Sequence, residues 1–466
     1  MKMHIIIKMH KFFINFSFIK FTSIIIVIVL SIIGVKLIIG SHAQTSSVAI
    51  NPNISTITPP ATSTTDNSAP GGKSVLFSST NNSSFSISGT KILRNNTQFV
   101  PYGFVLPCPI SENTPGDITS VCSDNGGTEN SGITTIDAAA KYWNANYVRL
   151  QVAQGLLFSG SVQDSCGTVN SGYVNVIDGL VNEANKNGMV ATITLQEETG
   201  DNGNYALPTA PTSSAFWKYM ACHYKNNSAV FFSLYNEPSL DPSAISSGTW
   251  KDVWKIWQSG GTALQEGKNG VIDTTKNMTY LGMQNLIDII RGLGSNNIII
   301  AEGPNHDKDL SGLDPTAYGG QTFALTGSNI AYGFEPNEHG DSTTGNPSQA
   351  FTNFGQYFSK GYIIIPEAYL NYYAAQSCDV NSPVDVPLKL NYIKSLNGNG
   401  MGLVFWEMNG GIAIKGNGTN KPDLSQPTVY SNSTMTCNVG AADTLSNTQG
   451  YGQDVMNWYK QNSVRF

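Results

Sequence analysis

Two acidic residues close short apolar runs far apart in the chain: Glu237, in Tyr235-Asn236-Glu237-Pro238, and Glu367, in Ile365-Pro366-Glu367. A carboxylate directly after a buried run is costly unless it is paired or does work. Two such groups brought to one cleft supply a proton donor and a nucleophile, which is the equipment for breaking a glycosidic bond. A retaining pair stands about 5–5.5 Å apart, and an inverting pair is wider. A third run, Tyr147-Val148-Arg149-Leu150, carries an arginine, and a nearby guanidinium keeps a carboxylate ionised. Asn-Glu-Pro by itself also suits an ordinary strand-to-loop turn, with Pro238 ending the strand.

These residues must be positioned by regular elements, and the sequence supplies them. Apolar, β-branched or aromatic runs occur at Val100–Phe104, Tyr147–Gln151, Val190–Leu195, Val230–Tyr235, Ile298–Ala301, Ile330–Phe334, Tyr362–Ile365 and Gly402–Trp406. Most are continuously apolar, as strands buried on both faces are. Helical spacing lies between them: Ile133, Ile136, Ala140 and Trp143; Val174, Ile177, Val181 and Ala184, ending at Gly188; Phe216, Met220 and Tyr224. It recurs at Met283, Leu286, Ile287 and Ile290, at Phe351, Phe354 and Phe358, and at Val386, Leu390 and Ile393. Alternation of this kind predicts an α/β fold, a (β/α)8 barrel. A doubly wound nucleotide-binding sheet would need a glycine-rich phosphate turn after its first strand, and there is none. In a barrel of this type chemistry sits at the C-terminal strand ends, where Glu237 and Glu367 fall.

The run Phe231-Phe232-Ser233-Leu234-Tyr235-Asn236-Glu237-Pro238 resembles the fourth-strand signature of the cellulase-type glycoside hydrolases of family 5, retaining (β/α)8 enzymes. The resemblance makes Glu237 the acid/base and Asn236 the partner of the sugar 2-hydroxyl. Ile363-Ile364-Ile365-Pro366-Glu367 is similar to the seventh-strand segment and makes Glu367 the nucleophile. Tyr147-Val148-Arg149-Leu150 is similar to the second-strand motif, whose arginine supports that nucleophile. Gly402-Leu403-Val404-Phe405-Trp406 is similar to the eighth-strand segment, whose tryptophan floors the subsite beside the cut. The likeness spans about residue 95 to the C-terminus.

The chain departs from that pattern in two places. The family usually ends its third strand in a histidine, where Thr194-Leu195-Gln196 stands here. It usually has His-x-Tyr after the sixth strand, where Glu335-Pro336-Asn337 stands here. Gln196, Glu335 and Asn337 are therefore expected around the sugar, with Glu335 as a third carboxylate. Glu302, His306 and Asp307, after the fifth run, are candidates to line the cleft, although His306 equally suits a surface loop. Glu335, Glu338 and His339 match no standard metal spacing. Trp250, Trp254 and Trp257 share a helical face and read as packing rather than as a sugar platform.

The chain has 466 residues, a net charge of −6 and only 12% charged residues. Its first 43 residues carry lysines and no acid, so the remainder is more acidic than the total. An acidic body argues against nucleic-acid partners. Lys2, Lys8, Lys11 and Lys20 precede the apolar stretch Phe21–Gly40, and Ser41-His42-Ala43 is a small-x-small site. Residues 1–43 thus read as a signal peptide or signal anchor that exports the rest, with membrane contact only through this segment. Residues 44–84 are rich in Ser, Thr and Pro and read as a linker, leaving residues 85–466 as the barrel. The six cysteines, an even number without a CxxC pair, suit disulfides, with Cys108–Cys122 the favoured pairing. Sequons such as Asn95, Asn226 and Asn277 allow glycosylation.

The sequence therefore predicts an exported, monomeric retaining hydrolase of a β-linked glucan or related β-glycoside, acting on a poly- or oligosaccharide with no cofactor and no metal. The alternative is a barrel that has lost catalysis and serves as a cell-surface carbohydrate-binding or adhesion protein.

Overall fold

The computed structural model describes residues 83–109, 132–158, 162–164, 167–169, 171–197, 205–210, 212–246, 248–335, 355–368, 390–396, 401–405, 408, 424–427 and 452–465. They belong to the second of two units, Pro70–Phe466; the first, Met1–Ala69, lies outside the described residues, and with it the expected membrane segment. No helix among the described residues is long and apolar enough to cross a membrane.

Eight parallel strands close into a barrel. They are β4 (Tyr102–Leu106), β5 (Tyr147–Ala153), β8 (Val190–Glu197), β9 (Val230–Ser233), β12 (Ile299–Glu302), β13 (Ile330–Phe334), β14 (Ile364–Ala368) and β15 (Leu403–Phe405). Their order follows the chain, and β15 returns to pair with β4. Each lies on one of the eight apolar runs. The expected helices follow as Gly132–Ala138, Ser171–Lys186, Thr212–Tyr224 and Met283–Gly292, and the chain ends in Gly452–Asn462. Gly188, with φ 73°, takes the left-handed position two residues past its helix. Between β12 and β13 the only helical element is the 3-10 turn Ser311–Leu313.

Burial has two zones. One lies between strands and helices and includes Val148, Ile193, Ile177, Trp217 and Ile287. The other fills the barrel itself with Val105, Tyr147, Val190, Phe231, Ile300, Ile365 and Val404. Neighbouring strands approach closely. At Gly103 of β4 an added Cβ would stand 2.0 Å from the Tyr147 carbonyl oxygen, so only glycine fits.

Three further features were not expected. A three-stranded sheet, β1 (Phe85–Ser88), β2 (Lys91–Arg94) and β3 (Thr97–Phe99), precedes the barrel. Its Phe85, Ile92 and Phe99 join the interior zone, with the Phe85 ring 5.2 Å from that of Phe231. A small hairpin, β6 (Val162–Asp164) with β7 (Gly167–Val169), follows β5. A longer hairpin, β10 (Gly261–Glu266) with β11 (Ile272–Tyr280), is inserted between β9 and β12. The helix before it, Trp250–Ser259, buries Trp254 and Trp257, which pack as expected, and leaves Trp250 exposed.

Cys108 and Cys222 each take part in a disulfide. The other four cysteines, including Cys122 of the expected pair, lie outside the described residues.

Candidate active site

Strand alternation builds the site above the apolar fill. Two residues beyond Tyr147 comes Arg149; two beyond Phe231 comes Ser233; two beyond Ile300 comes Glu302. The barrel interior therefore changes from hydrocarbon to charge within one layer. Arg149 donates from Nη2 to Glu302 Oε1 at 3.3 Å and from Nη1 to Glu335 Oε1 at 3.4 Å. Ser233 Oγ also donates to Glu302 Oε1. All four side chains are buried. Gly333 makes room for this cluster, since a Cβ there would stand 2.8 Å from Glu302 Cγ. A small recess, with room for about one water molecule, opens here, lined by Arg149, Glu302, Asp307, Gly333 and Glu335 over Tyr147.

One guanidinium serves several carboxyls, and burial acts against their charge. Glu302 is raised above the usual carboxylate range by burial, against the pull of Arg149 and Ser233. Asp307, wholly buried, is raised well above it, first by burial and then by the nearby Glu302. A second cation comes from the inserted hairpin. Lys268 donates to the Gln196 carbonyl oxygen at 2.9 Å and lies 4.6 Å from the centre of the Tyr235 ring. Burial lowers its ammonium to about 8, although Glu237, Asp307 and Glu335 all favour its charge.

Asn236 and Glu237 follow β9 directly. Asn236 is buried, its amide N–H donates to the Leu195 carbonyl, and its Oδ1 has no hydrogen-bond partner among the described residues. Glu237 has a left-handed backbone, φ 48°, which is rare for a residue with a Cβ and costs about 1–3 kcal/mol. Its amide N–H donates to Asp307 Oδ2 at 3.2 Å. Glu335 stands directly after β13, and its amide N–H donates to the Asp307 carbonyl at 2.9 Å.

Asn236, Glu237, Glu335 and Gln196 stand in or just after the C-terminal halves of their strands, and Arg149 stands within β5. The backbone of Glu367 is next to last in β14, in register with Val404 of β15; its side chain lies outside the described set, as do Trp406 and Asn337. Arg149 meets Glu302 and Glu335, a partnership that no local motif announced. Asp307 and His306 lie at the rim rather than on an unrelated surface. His306 is half-buried, and burial lowers its imidazole pKa. Lys268 carried no sequence signal. Among the described residues no group of His, Cys, Asp and Glu is placed to hold a metal ion; Glu338 and His339 lie outside them.

The family model for cellulase (glycosyl hydrolase family 5) matches residues 112–411. Among solved structures, the chain is similar to the beta-glucanase SdGluc5_26A from Saccharophagus degradans in complex with cellotetraose. That likeness has 16% identity and a TM-score of 0.48, covering 74% of this chain and 90% of that one. It is also similar to the endo-beta-1,4-glucanase Xac0029 from Xanthomonas axonopodis pv. citri, at 15% identity and a TM-score of 0.46, over 78% of this chain and all of that one. No curated protein sequence matches the chain.

Proposed function

The chain belongs to the cellulase family, glycosyl hydrolase family 5, and from that premise we propose that it is a retaining hydrolase of a β-linked glucan or related β-glycoside. Glu367 attacks the anomeric carbon, and the bond to the leaving oxygen breaks as Glu237 gives that oxygen its proton. Glu237 then takes a proton from water, whose oxygen displaces Glu367 and releases the sugar with its anomeric configuration kept. Asn236 holds the 2-hydroxyl with its amide oxygen, which has no partner among the described residues. Gln196, Glu335, Asn337 and Trp406 shape the sugar site, and the N-terminal segment carries the enzyme outside the cell.

The observation that supports this reading most directly is the placement of Asn236-Glu237 at the C-terminal rim of β9. Glu237 is held there in a strained backbone, beside the buried Arg149 layer and on the rim where Glu367 stands next to last in β14. The test is a screen of β-glucans, mannans and xylans for new reducing ends, with the anomer followed by NMR. Cleavage with retention is expected, and Glu237→Gln and Glu367→Gln should each lower turnover by about 10²–10⁴-fold. Sugar binding without cleavage by the unaltered protein would overturn the reading.

A further inference from the structure

After β12 the chain makes an unusual turn. Asn305, His306 and Asp307 have φ of 62°, 55° and 61°, three consecutive left-handed residues without one glycine among them. Each such residue is disfavoured, so the turn persists only because its surroundings hold it. Its entry depends on Gly303, where a Cβ would stand 2.0 Å from the Asp309 carbonyl oxygen. Its hydrogen bonds reach two other strand ends. The His306 amide N–H donates to the Pro238 carbonyl at 2.9 Å, the Glu237 amide N–H donates to Asp307 Oδ2 at 3.2 Å, and the Glu335 amide N–H donates to the Asp307 carbonyl at 2.9 Å.

We propose that Asp307 is a positioning residue: its buried carboxyl, by accepting the Glu237 amide N–H, fixes the left-handed backbone of Glu237 and so the aim of the Glu237 side chain. The inference rests on the hydrolase reading for its catalytic consequence, though not for the backbone restraint itself. Glu237 stands one residue beyond Asn236, whose own amide is fixed by Leu195. Left unrestrained, the 237 peptide relaxes toward ordinary φ, and the side chain swings with it. A displacement of about 1 Å in a reacting group costs on the order of 10²-fold in rate. Asp307 is fully buried, so water does not substitute for the lost acceptor. Its carboxyl is pushed toward the neutral form by burial and by Glu302, and a neutral side chain with a carbonyl oxygen keeps the same hydrogen bond. The acceptor is therefore what matters, not the charge.

Three variants separate these effects. Asp307→Ala removes the acceptor, Asp307→Gly removes it while tolerating the left-handed φ, and Asp307→Asn keeps it. We expect Asp307→Ala and Asp307→Gly to lose about 10–100-fold in kcat with KM within about threefold, and Asp307→Asn to recover most of that loss. In amide hydrogen exchange, the Glu237 N–H should exchange at least about tenfold faster in the Ala and Gly variants and at nearly the original rate in Asn. Unchanged exchange at Glu237, full kcat in Asp307→Gly, or an Asn variant as impaired as Ala would each overturn the proposal. A fall in melting temperature alone, with exchange and kcat preserved, would also overturn it. If the unaltered protein cleaves no glycan, the hydrolase reading falls while the exchange measurement still decides the role of Asp307.

Discussion

Arg149 and Glu302 form an ion pair of 3.3 Å whose two side chains are only 6% and 3% exposed, and the same guanidinium serves Glu335. Removing a buried cation from such a group leaves carboxylates that must either stay uncompensated or take up a proton. Arg149→Met should therefore destabilise the protein by about 3–5 kcal/mol near pH 8. The loss should shrink as the pH falls and the carboxyls protonate. Urea unfolding of both proteins at pH 5 and pH 8 measures the difference, and an equal loss at both would contradict the buried-pair account.

Glu266 offers a cleaner test of linkage. It is buried at the end of β10, accepts the Asp241 amide N–H at 2.8 Å, and burial raises its pKa from 4.5 to about 7. The folded protein thus binds more protons at this site than the unfolded chain does between those values. Its contribution is fully present below pH 4.5 and is lost as the pH rises toward about 7, by about 3 kcal/mol. Glu266→Gln keeps an acceptor for Asp241 and should flatten that slope, as read from chemical unfolding at intervals from pH 4.5 to 7.5.

Lys268 should show a slope of the opposite sense at higher pH. Its folded value of about 8 lies below its ordinary 10.5, so between them the unfolded chain binds more protons. Stability gained from this site therefore rises with pH across that window and is lost as the pH falls through about 8. Lys268→Met should lack the rise. It also removes the bond to Gln196, so limited proteolysis is expected to cut faster near Asn269-Gly270. Unaltered cleavage would show that the hairpin tip is held by other contacts.

Gly333→Ala should act through Glu302. The new methyl would stand 2.8 Å from Glu302 Cγ, and crowding of this kind costs about 1–3 kcal/mol. In a double-mutant cycle with Glu302→Ala, the two losses should fall short of additivity, because removing the Glu302 side chain removes the clash. Strict additivity would place the strain elsewhere.

How much was legible in the sequence follows from how each element is built. Continuous burial wrote the barrel strands directly into the chain, from Tyr147–Ala153 to Leu403–Phe405. Asn236, Glu237 and Arg149 could be placed because each sits at a fixed offset from such a run. The β10–β11 hairpin left no comparable trace, since β11 is exposed or half-exposed along most of its length and shows no apolar alternation. Strands β1 to β3 have three or four residues each, too few to display a period. The partners of Arg149 depend on which strand ends meet across the barrel, and the turn at Asp307 uses no glycine where one would mark it. Both are properties of assembly, with no local code.

The sheet of β1 to β3 sets Phe85, Ile92 and Phe99 among the interior residues at the starts of the barrel strands. The barrel is thus corked from below by a segment that comes before its own first stave. A chain begun at Tyr102 would present Phe231 to water from underneath. The apolar seal and the buried charged layer of Arg149, Glu302 and Glu335 are in this way assigned to opposite ends of the same staves.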